Sequence, residues 1–290
     1  MGAMAAGLTP LWGIEYIDAI ANVARRNLGD HIMTADIMTV DPSTLPSVDV
    51  LHASPPCPNF SVAKAGGKES KGDIALAAKV VEFIETFHRE NRSPKIFTLE
   101  EVIAYRNSQS WRMIEDALHG AGYWVHWDHI NTADYGVPQT RKRMIVRAIR
   151  GGWVPYLPQP VRWVGWYEAI EDLIPTLPDS KFAPWQLKRL PAELMESMRA
   201  FLCPSSHYSP IIGPTEPANT ITADQNQVRQ RAYLDHGRVV AMTPRCLARF
   251  QSFPDWYELP AKNELAARII GNAVPPLLYQ RIISPLLDSL

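Results

Sequence analysis

The sequence predicts an α/β fold with a second, smaller lobe. Up to residue 130, short apolar segments of strand type alternate with segments of helical periodicity, as in a sheet crossed by helices. One strand leads into a Pro-Pro break and a cysteine, which suits the carboxyl end of a strand in an open sheet. From residue 151 to about 240, prolines and tryptophans become frequent. We predict a larger domain over 1–160, rejoined by 262–290, and a small domain over 161–261.

Composition limits the class of protein. The chain has 290 residues, 46% of them hydrophobic and 20% charged, enough for one full core and a smaller lobe. Its three cysteines, Cys57, Cys203 and Cys246, are widely spaced and form no CxxC pair. This spacing argues against a disulfide framework and a zinc site, so we expect a reducing compartment and no metal.

Hydropathy and charge exclude further classes. The sequence has no apolar run of about 18 residues, and no basic region precedes an apolar one at its start. We therefore expect a cytoplasmic protein that does not enter a membrane. The formal net charge is -1, so any contact with nucleic acid must come from local basic clusters.

The segment from Val48 to Gly67 is the most informative in the chain. An apolar strand there runs into Pro55-Pro56 and then Cys57. A lone cysteine is most often a small buried apolar residue. Two prolines, however, fix the backbone and give the next side chain a defined direction. The pattern favours Cys57 as a positioned nucleophile.

Two acids follow the first predicted strands. A strand over Gly13–Glu15 precedes a helix over Ile17–Asn27, and a strand over 31–37 closes on Asp36. An acid at such a strand end can bind ribose hydroxyl groups. A solvated carboxylate for Glu15 and a helix or turn cap for Asp36 are the ordinary alternatives.

Two adjacent acids close a later strand. After the cysteine the pattern predicts a helix over 74–91, a strand over 95–99, a helix over 111–122 and a strand over 125–130. Glu100 and Glu101 end the first of these strands, and adjacent strand residues point to opposite faces. Only one of the two acids can therefore face the cysteine.

A basic cluster follows in the segment NTADYGVPQTRKR. Gln139, Arg141 and Arg143 alternate and project to one face if the segment is extended. A solvated basic run is the usual explanation of such a cluster.

In the second half we predict helices over 166–173, 191–201, from the Thr243-Pro244 cap onward, and over 277–287.

Five motifs occur in one order: Pro-Cys, Glu-x-Val, Gln-x-Arg-x-Arg, Arg-Phe-Gln-Ser-Phe-Pro-Asp and Gly-Asn-Ala-Val-Pro-Pro, with one long variable stretch between the third and fourth. The chain thereby resembles the cytosine-C5 DNA methyltransferases over nearly its whole length. The resemblance implies a Rossmann-like, S-adenosylmethionine-dependent methyltransferase sheet with a smaller target-recognition lobe.

The resemblance also implies a site for S-adenosylmethionine. Glu15 matches the acid that binds the ribose, Tyr16 the aromatic that packs on adenine, and Asp36 the acceptor for the adenine amino group. The full set of implied cofactor residues is Gly7, Glu15, Tyr16, Asp36, Pro55, Asn272 and Val274.

One family motif is incomplete. The family opens with a strand and an Asp-Leu-Phe-x-Gly-x-Gly-Gly loop, of which only the tail is present here, as residues 2–7. A late start of the sequence, degeneration of the motif, or a second polypeptide that supplies the first strand would each explain this.

The implied chemistry accounts for the catalytic residue types. The Cys57 thiolate would add to C6 of cytosine and turn the ring into an enamine that can attack a methyl sulfonium. Glu100, protonated or sharing a proton with ring N3, would stabilise the added electron density. Arg143, with Arg141 nearby, would bind the O2 edge and supply positive charge. A base in a duplex must be flipped out for such chemistry.

The resemblance further implies double-stranded DNA as the partner, in a restriction-modification enzyme of prokaryotic or phage type acting at the nucleoid. The segment 220–231 resembles the target-recognition region, and its side-chain types read base edges in the major groove. A solvated loop has the same composition. The implied DNA-binding residues are Gln139, Gln225, Asn226, Gln227, Arg229 and Arg231.

Other functions remain open on the sequence. Pro58 stands where the family has Gln, and Glu101 where it has Asn. These departures favour a non-catalytic DNA-binding or regulatory relative, or one half of a two-chain enzyme. The intact set of Cys57, Glu100 and the basic cluster favours catalysis. An RNA cytosine-C5 methyltransferase is a third alternative, because the flipped base is the same.

Overall fold

The computed structural model describes residues 1–55, 69–190, 200–205 and 209–290, so Cys57 and Pro58 lie outside the described residues. The strands are β1 Gly13–Glu15, β2 Ile32–Thr34, β3 Val50–Ala53, β4 Ile96–Glu101, β5 Tyr123–Asn131, β6 Lys142–Arg150, β7 Phe201–Cys203, β8 Arg231–Leu234 and β9 Arg238–Ala241. The α-helices are α1 Gly2–Ala5, α2 Asp18–Leu28, α3 Lys71–Arg89, α4 Gln109–Gly120, α5 Trp166–Ile170, α6 Pro184–Leu187, α7 Pro244–Phe250, α8 Asn263–Asn272 and α9 Pro276–Ile283.

The strands form three sheets within the described ranges. The central sheet has the order β3-β4-β6-β5, with β3 parallel to β4 and β6 antiparallel to both β4 and β5. β1 and β2 form a separate parallel pair. β7, β8 and β9 form an antiparallel sheet that belongs to the second half of the chain.

Strand β4 is the centre of the larger core, and all six of its residues are buried. Leu99 on one face packs with Trp111 and Ile114 of α4. Ile96 on the other face packs with Leu278 of α9. Burial on both faces explains the apolar run that the sequence shows here.

Local sequence signals start the helices that cover this sheet. Ser70 and Asp73 form a reciprocal capping box at the start of α3, which satisfies two backbone N–H groups. Ser108 caps α4, and Thr243 caps α7 of the second half of the chain; each side chain accepts a backbone N–H three residues on, without the reciprocal bond. The predicted Thr243-Pro244 cap is confirmed.

The second half builds a smaller unit, which consists of α5 to α7 and β7 to β9. Its core surrounds the fully buried Trp166 and includes Val240 of β9 and Leu247 of α7. The same apolar cluster takes in Val23 of α2 and Ile270 of α8. This small unit thus shares its core with helices from the larger one, and the domain boundaries at 160 and 261 stay predictions.

A joint connects the two units through backbone pairing. Ala218 N–H donates to Pro138 O at 3.0 Å, and Thr140 N–H donates to Ala218 O at 2.8 Å. The Thr220 hydroxyl donates to Thr140 O at 2.6 Å. Gly271 of α8 lies against the backbone of residues 222–223, with no room for a side chain. The joint therefore brings together segments that are 80 and 130 residues apart.

Most predicted elements are confirmed with ends shifted by a few residues. Two predictions were wrong. The strand predicted over 31–37 ends at Thr34, and Asp36 instead caps a short 3-10 turn. Phe201, predicted to end a helix, begins β7, because it stacks between Phe182 and Tyr233 in a second apolar cluster of the small unit. Residues 191–199 lie outside the described ranges.

None of the helices among the described residues has the length and apolar character needed to cross a membrane.

Gly271→Ala tests the close approach at the joint. The added Cβ would overlap the backbone of Thr222 and Ala223, so we expect a loss of about 3 kcal/mol in the free energy of unfolding, measured by urea denaturation. Gly120→Ala is the matched control, because nothing lies near its Cβ and alanine favours the helix. Equal stability of the two variants would contradict the packing described.

Candidate active site

The site lies at the edge of the central sheet where β3 and β4 end, which we call the carboxyl edge. Pro55 follows β3, Glu100 and Glu101 end β4, and the antiparallel β6 begins there with Lys142 and Arg143. Parallel strands deliver functional groups to this edge in open α/β sheets. Glu100 and Arg143 form an ion pair at this edge, and Pro55 follows the neighbouring strand.

Glu100 occupies a buried position between two guanidinium groups. Its Oε1 lies 2.9 Å from Arg143 Nε and 3.8 Å from Arg141 Nε. Although the first distance is short, the N–H is not directed at the oxygen, and Oε1 accepts no hydrogen bond from the described residues. Glu100 Oε1 is thus ion-paired with Arg143, without a directed hydrogen bond from the described residues.

Glu101 points to the other face of β4, as alternation requires. Its Oε2 accepts the Val102 N–H at 3.0 Å, and the residue is buried. The replacement of the family's Asn by Glu101 therefore falls away from the face that carries Glu100.

Arg141 has a structural role that the sequence did not predict. Its Nη1 donates to Ile221 O at 3.1 Å and to Gly271 O at 3.2 Å, both across the joint. Burial lowers the pKa of Arg141 to about 10, against the raising effect of Glu100, so the side chain stays protonated at neutral pH. Two backbone carbonyls hold the guanidinium of Arg141, and its catalytic role stays a prediction.

Gln139 is fully buried, and its amide nitrogen donates to the Gln251 side chain and to Phe250 O. Its amide oxygen accepts the Ile221 N–H at 2.6 Å. Both ends of the Gln139 amide thus bond to the described residues, and its DNA contact stays a prediction.

A polar chain of buried and partly buried groups, missed by the sequence analysis, lies behind Glu100. His52 Nδ1 is 2.9 Å from Thr98 Oγ1, which is 3.0 Å from Tyr279 Oη. Thr98 lies two residues before Glu100 on the same face of β4. Burial lowers the pKa of His52 to about 4 and raises that of Tyr279 to about 12. The sequence feature that could have indicated this chain is His52, a histidine within the otherwise apolar strand β3.

The predicted nucleoside-binding residues follow the two strands of the separate pair. Glu15 ends β1 and Tyr16 follows it, and Asp36 comes two residues after β2. One oxygen of Glu15 accepts the Ile17 N–H at 2.7 Å, and one of Asp36 accepts the Met38 N–H at 3.0 Å. The Tyr16 ring is 71% exposed and free to stack. Two carboxylates and an open aromatic at adjacent strand ends fit a nucleoside.

The other predicted cofactor residues lie near the two chain termini and just after β3. Gly7 follows α1 with φ +91°, a conformation that favours glycine. Asn272 ends α8 with its side chain exposed, and Val274 packs between α8 and α9 against the cluster that contains Leu278. Pro55 is half-buried.

The predicted recognition residues lie on a 3-10 turn, Gln225–Arg229, beside α8. Gln225 and Arg229 are exposed, whereas Asn226 and Gln227 are half-buried and bonded to Asp224 and Thr222. Arg231 begins β8, and its Nη1 donates to Val228 O and Gln230 O. The side chains free for a ligand on this turn are thus Gln225 and Arg229.

The other two cysteines are poor nucleophiles. Burial raises the pKa of the Cys203 thiol to about 11 and also raises that of Cys246. Both are fully buried. A buried thiol in apolar surroundings is inert, because the reactive species is the thiolate. Within the described ranges, no three His, Cys, Asp or Glu side chains are grouped to hold a metal.

The fold is the α/β fold of solved methyltransferases. The chain superposes on the S. pombe Dnmt2 methyltransferase with a TM-score of 0.68, covering 99% of this chain and 93% of that one at 13% identity. At this identity the likeness shows the fold alone.

Sequence comparison gives the family. The C-5 cytosine-specific DNA methylase family matches residues 1–156 and 205–287, and the chain belongs to it. The type II methyltransferase M.AplI of Arthrospira platensis is 29% identical over 303 residues, spanning 97% of this chain and 80% of M.AplI. M.HaeII of Haemophilus aegyptius, also a type II methyltransferase, is 25% identical over all of this chain and 89% of its own length.

His52→Phe tests the buried polar chain through pH. The pKa of His52 is depressed in the folded protein, so its contribution to stability is complete above about 6.5 and is lost as the pH falls toward 4. The loss amounts to about 3 kcal/mol. We expect urea denaturation between these pH values to show a shallower loss of stability in His52→Phe than in the wild type. Parallel profiles would contradict a buried neutral His52.

Proposed function

We propose that this chain transfers a methyl group from S-adenosylmethionine to C5 of cytosine in double-stranded DNA through a covalent adduct with Cys57. The observation that carries the proposal is the buried Glu100 oxygen, which lies beside Arg143 at the carboxyl edge and accepts no hydrogen bond from the described residues. Membership of the cytosine methylase family supports the same reaction.

Residues at the end of β1 and just after β1 and β2 would hold the cofactor. Glu15 and Asp36 each have a carboxylate oxygen beyond the one bound to their own turn, and these fit ribose hydroxyl and amino donors. The exposed Tyr16 ring fits the adenine face. When bound, S-adenosylmethionine supplies an electrophilic methyl group.

Cys57 would act as the nucleophile that makes C5 reactive. Its thiolate adds to C6, the 5,6 double bond opens, and the electron pair makes C5 a carbon nucleophile that accepts the methyl group. Loss of the C5 proton to a base and departure of the thiolate then restore the double bond. The burial of Cys203 and Cys246 supports Cys57 as the reactive thiol.

Glu100 and Arg143 would bind the cytosine ring during this step. The open Oε1 of Glu100 fits the N3 and N4 edge of the ring, which presents donors when N3 carries a proton. Arg143 keeps Glu100 oriented, and its charge favours electron density on the neighbouring O2 edge. Arg141 supports both groups from the joint.

DNA would bind between the carboxyl edge and the recognition turn. The target base must leave the stack to meet Cys57 and Glu100, at a cost of about a few kcal/mol. Exposed Gln225 and Arg229 are suited to contact bases or phosphates nearby. The relatives named type II methyltransferases support a role in restriction-modification, and hence action on DNA in a prokaryotic cytoplasm.

A second candidate is one half of a two-chain enzyme or a non-catalytic relative. The separation of the β1-β2 pair from the central sheet favours it, because the cofactor residues and Glu100 then sit on two sheets that no described strand joins.

Trapping on DNA that contains 5-fluorocytosine tests the covalent adduct. Fluorine at C5 cannot leave as a proton does, so the adduct with Cys57 should persist through denaturing electrophoresis. We expect a shifted band with the wild type and none with Cys57→Ala. Cys203→Ser is the matched control and should retain the band, because its thiol is buried.

A band that survives in Cys57→Ala would assign the nucleophile elsewhere.

Glu100→Gln should bind DNA yet lose most methyl transfer, measured as labelled methyl incorporation. Retained methyl transfer would contradict the role of Glu100.

Arg229→Ala tests the recognition turn. We expect DNA affinity to fall about 10- to 100-fold, measured by fluorescence anisotropy at fixed salt, if Arg229 reads a base. Arg162→Ala is the control, since Arg162 is also exposed in the second half of the chain but pairs with Glu168. Equal losses in both variants would point to general charge and not to this turn.

A further inference from the structure

Helix α9 lies on the face of the central sheet that carries Val50 of β3 and Ile96 of β4. Leu278 and Ile282 of α9 belong to the same apolar cluster as these two residues. Apolar packing of this kind is not directional, so by itself it tolerates small shifts of the helix along the sheet. A directional contact between helix and sheet therefore adds what apolar packing lacks, which is one fixed position.

Tyr279 of α9 makes such a directional contact. Its Oη lies 3.0 Å from Thr98 Oγ1, and Thr98 Oγ1 lies 2.9 Å from His52 Nδ1. The Tyr279 and His52 rings also meet edge to face, with 4.9 Å between their centroids. The Thr98 hydroxyl has a single proton, so it donates to one neighbour and accepts from the other. The contact is complete only when all three side chains are present, as in other buried polar networks.

The three members of this polar chain lie on the segments that carry predicted site residues. Thr98 comes two residues before Glu100 on the same face of β4, and His52 comes three residues before Pro55. Tyr279 lies in the first turn of the helix that follows Val274. One set of hydrogen bonds thus joins three segments within a few residues of the site.

The turn between α8 and α9 is also held by bonds to its backbone carbonyls. Arg141 Nη1 donates to Gly271 O at 3.2 Å, and Gln251 Nε2 donates to Ala273 O at 2.6 Å. The Nε of the same Arg141 lies 3.8 Å from Glu100 Oε1. A single guanidinium therefore separates the turn from Glu100, and a shift of α9 along the sheet would move the turn relative to this acid.

We propose that Tyr279 is a positioning residue, which acts through Thr98 to fix the turn between α8 and α9 against Glu100. In the proposed function, on which this rests, the turn adjoins S-adenosylmethionine through Asn272 and Val274. The methyl donor and the cytosine ring then keep one spacing, set by hydrogen bonds behind the site. Such spacing matters, because a misplacement of about 1 Å can lower a rate about 100-fold.

Tyr279→Phe tests this role, because it removes the hydroxyl and keeps the ring. Calorimetric titration of the full chain with S-adenosylmethionine should give a Kd about tenfold above that of the wild type, since the turn loses its fixed position. DNA affinity, measured by fluorescence anisotropy, should stay unchanged, because Arg143 still pairs with Glu100.

Tyr123→Phe is the matched control. Tyr123 is also buried, and its hydroxyl donates to Pro94 O at the opposite end of the sheet from the site. Loss of this hydroxyl should lower the urea midpoint as Tyr279→Phe does, because each variant removes one buried hydrogen bond. It should leave the affinity for S-adenosylmethionine unchanged.

Thr98 offers a conservative rescue. Thr98→Val keeps the shape of the side chain but removes the hydroxyl, so it should weaken cofactor binding as Tyr279→Phe does. Thr98→Ser keeps the hydroxyl and should bind as the wild type. Amide exchange in the free protein needs no ligand, and at Ala273 and Leu277 it should be faster in Tyr279→Phe and unchanged in Tyr123→Phe.

The comparison of these variants decides the outcome. Weaker cofactor binding in Tyr279→Phe and Thr98→Val alone supports the positioning role. Wild-type binding in Tyr279→Phe would overturn it, and so would equal weakening in Tyr123→Phe, because any lost buried hydroxyl would then suffice. A wild type that binds S-adenosylmethionine but methylates no cytosine would contradict the proposed function only, whereas one that binds none would overturn both.

Discussion

The buried carboxylate of Glu100, held between Arg141 and Arg143, is the interaction on which the site depends. One ion pair is close to Glu100 Oε1, at 2.9 Å, and the other is longer, at 3.8 Å. Buried charges need partners, and each guanidinium here has a second task. Arg141 also bonds two carbonyls across the joint. The acid that would meet the substrate is thus coupled to the contact between the two units of the fold.

This coupling explains why motifs far apart in sequence occur together. The QTRKR segment contributes Gln139 and Arg141, the Phe-Gln motif contributes Gln251, and the Gly-Asn-Ala motif contributes the Gly271 and Ala273 carbonyls. Each motif satisfies buried polar groups of another, and a polar network of this kind is stable only when all its members are present. Gln139 and Arg141, which look like ligand contacts in the sequence, therefore also hold the two units of the fold together.

The sequence was sufficient for the α/β class, for most elements and for the position of Glu100, because periodicity and strand ends are local signals. It could not distinguish Gln139 and Arg141 from surface residues, since their partners lie 80 or more residues away. The sequence also predicted a helix at Phe201, which lies in a strand because its ring stacks with Phe182 and Tyr233. The polar chain from His52 to Tyr279 escaped for the same reason, as it joins residues 52, 98 and 279.

The most direct test of the account is the identity of the methylated base. Duplex DNA would be incubated with the full chain and S-adenosylmethionine, then digested to nucleosides and examined by mass spectrometry. The account predicts 5-methyl-2′-deoxycytidine, formed by the wild type and not by Cys57→Ala. Methyl groups on the exocyclic amine of cytosine, or on adenine, would contradict the nucleophile and the role of Glu100 together.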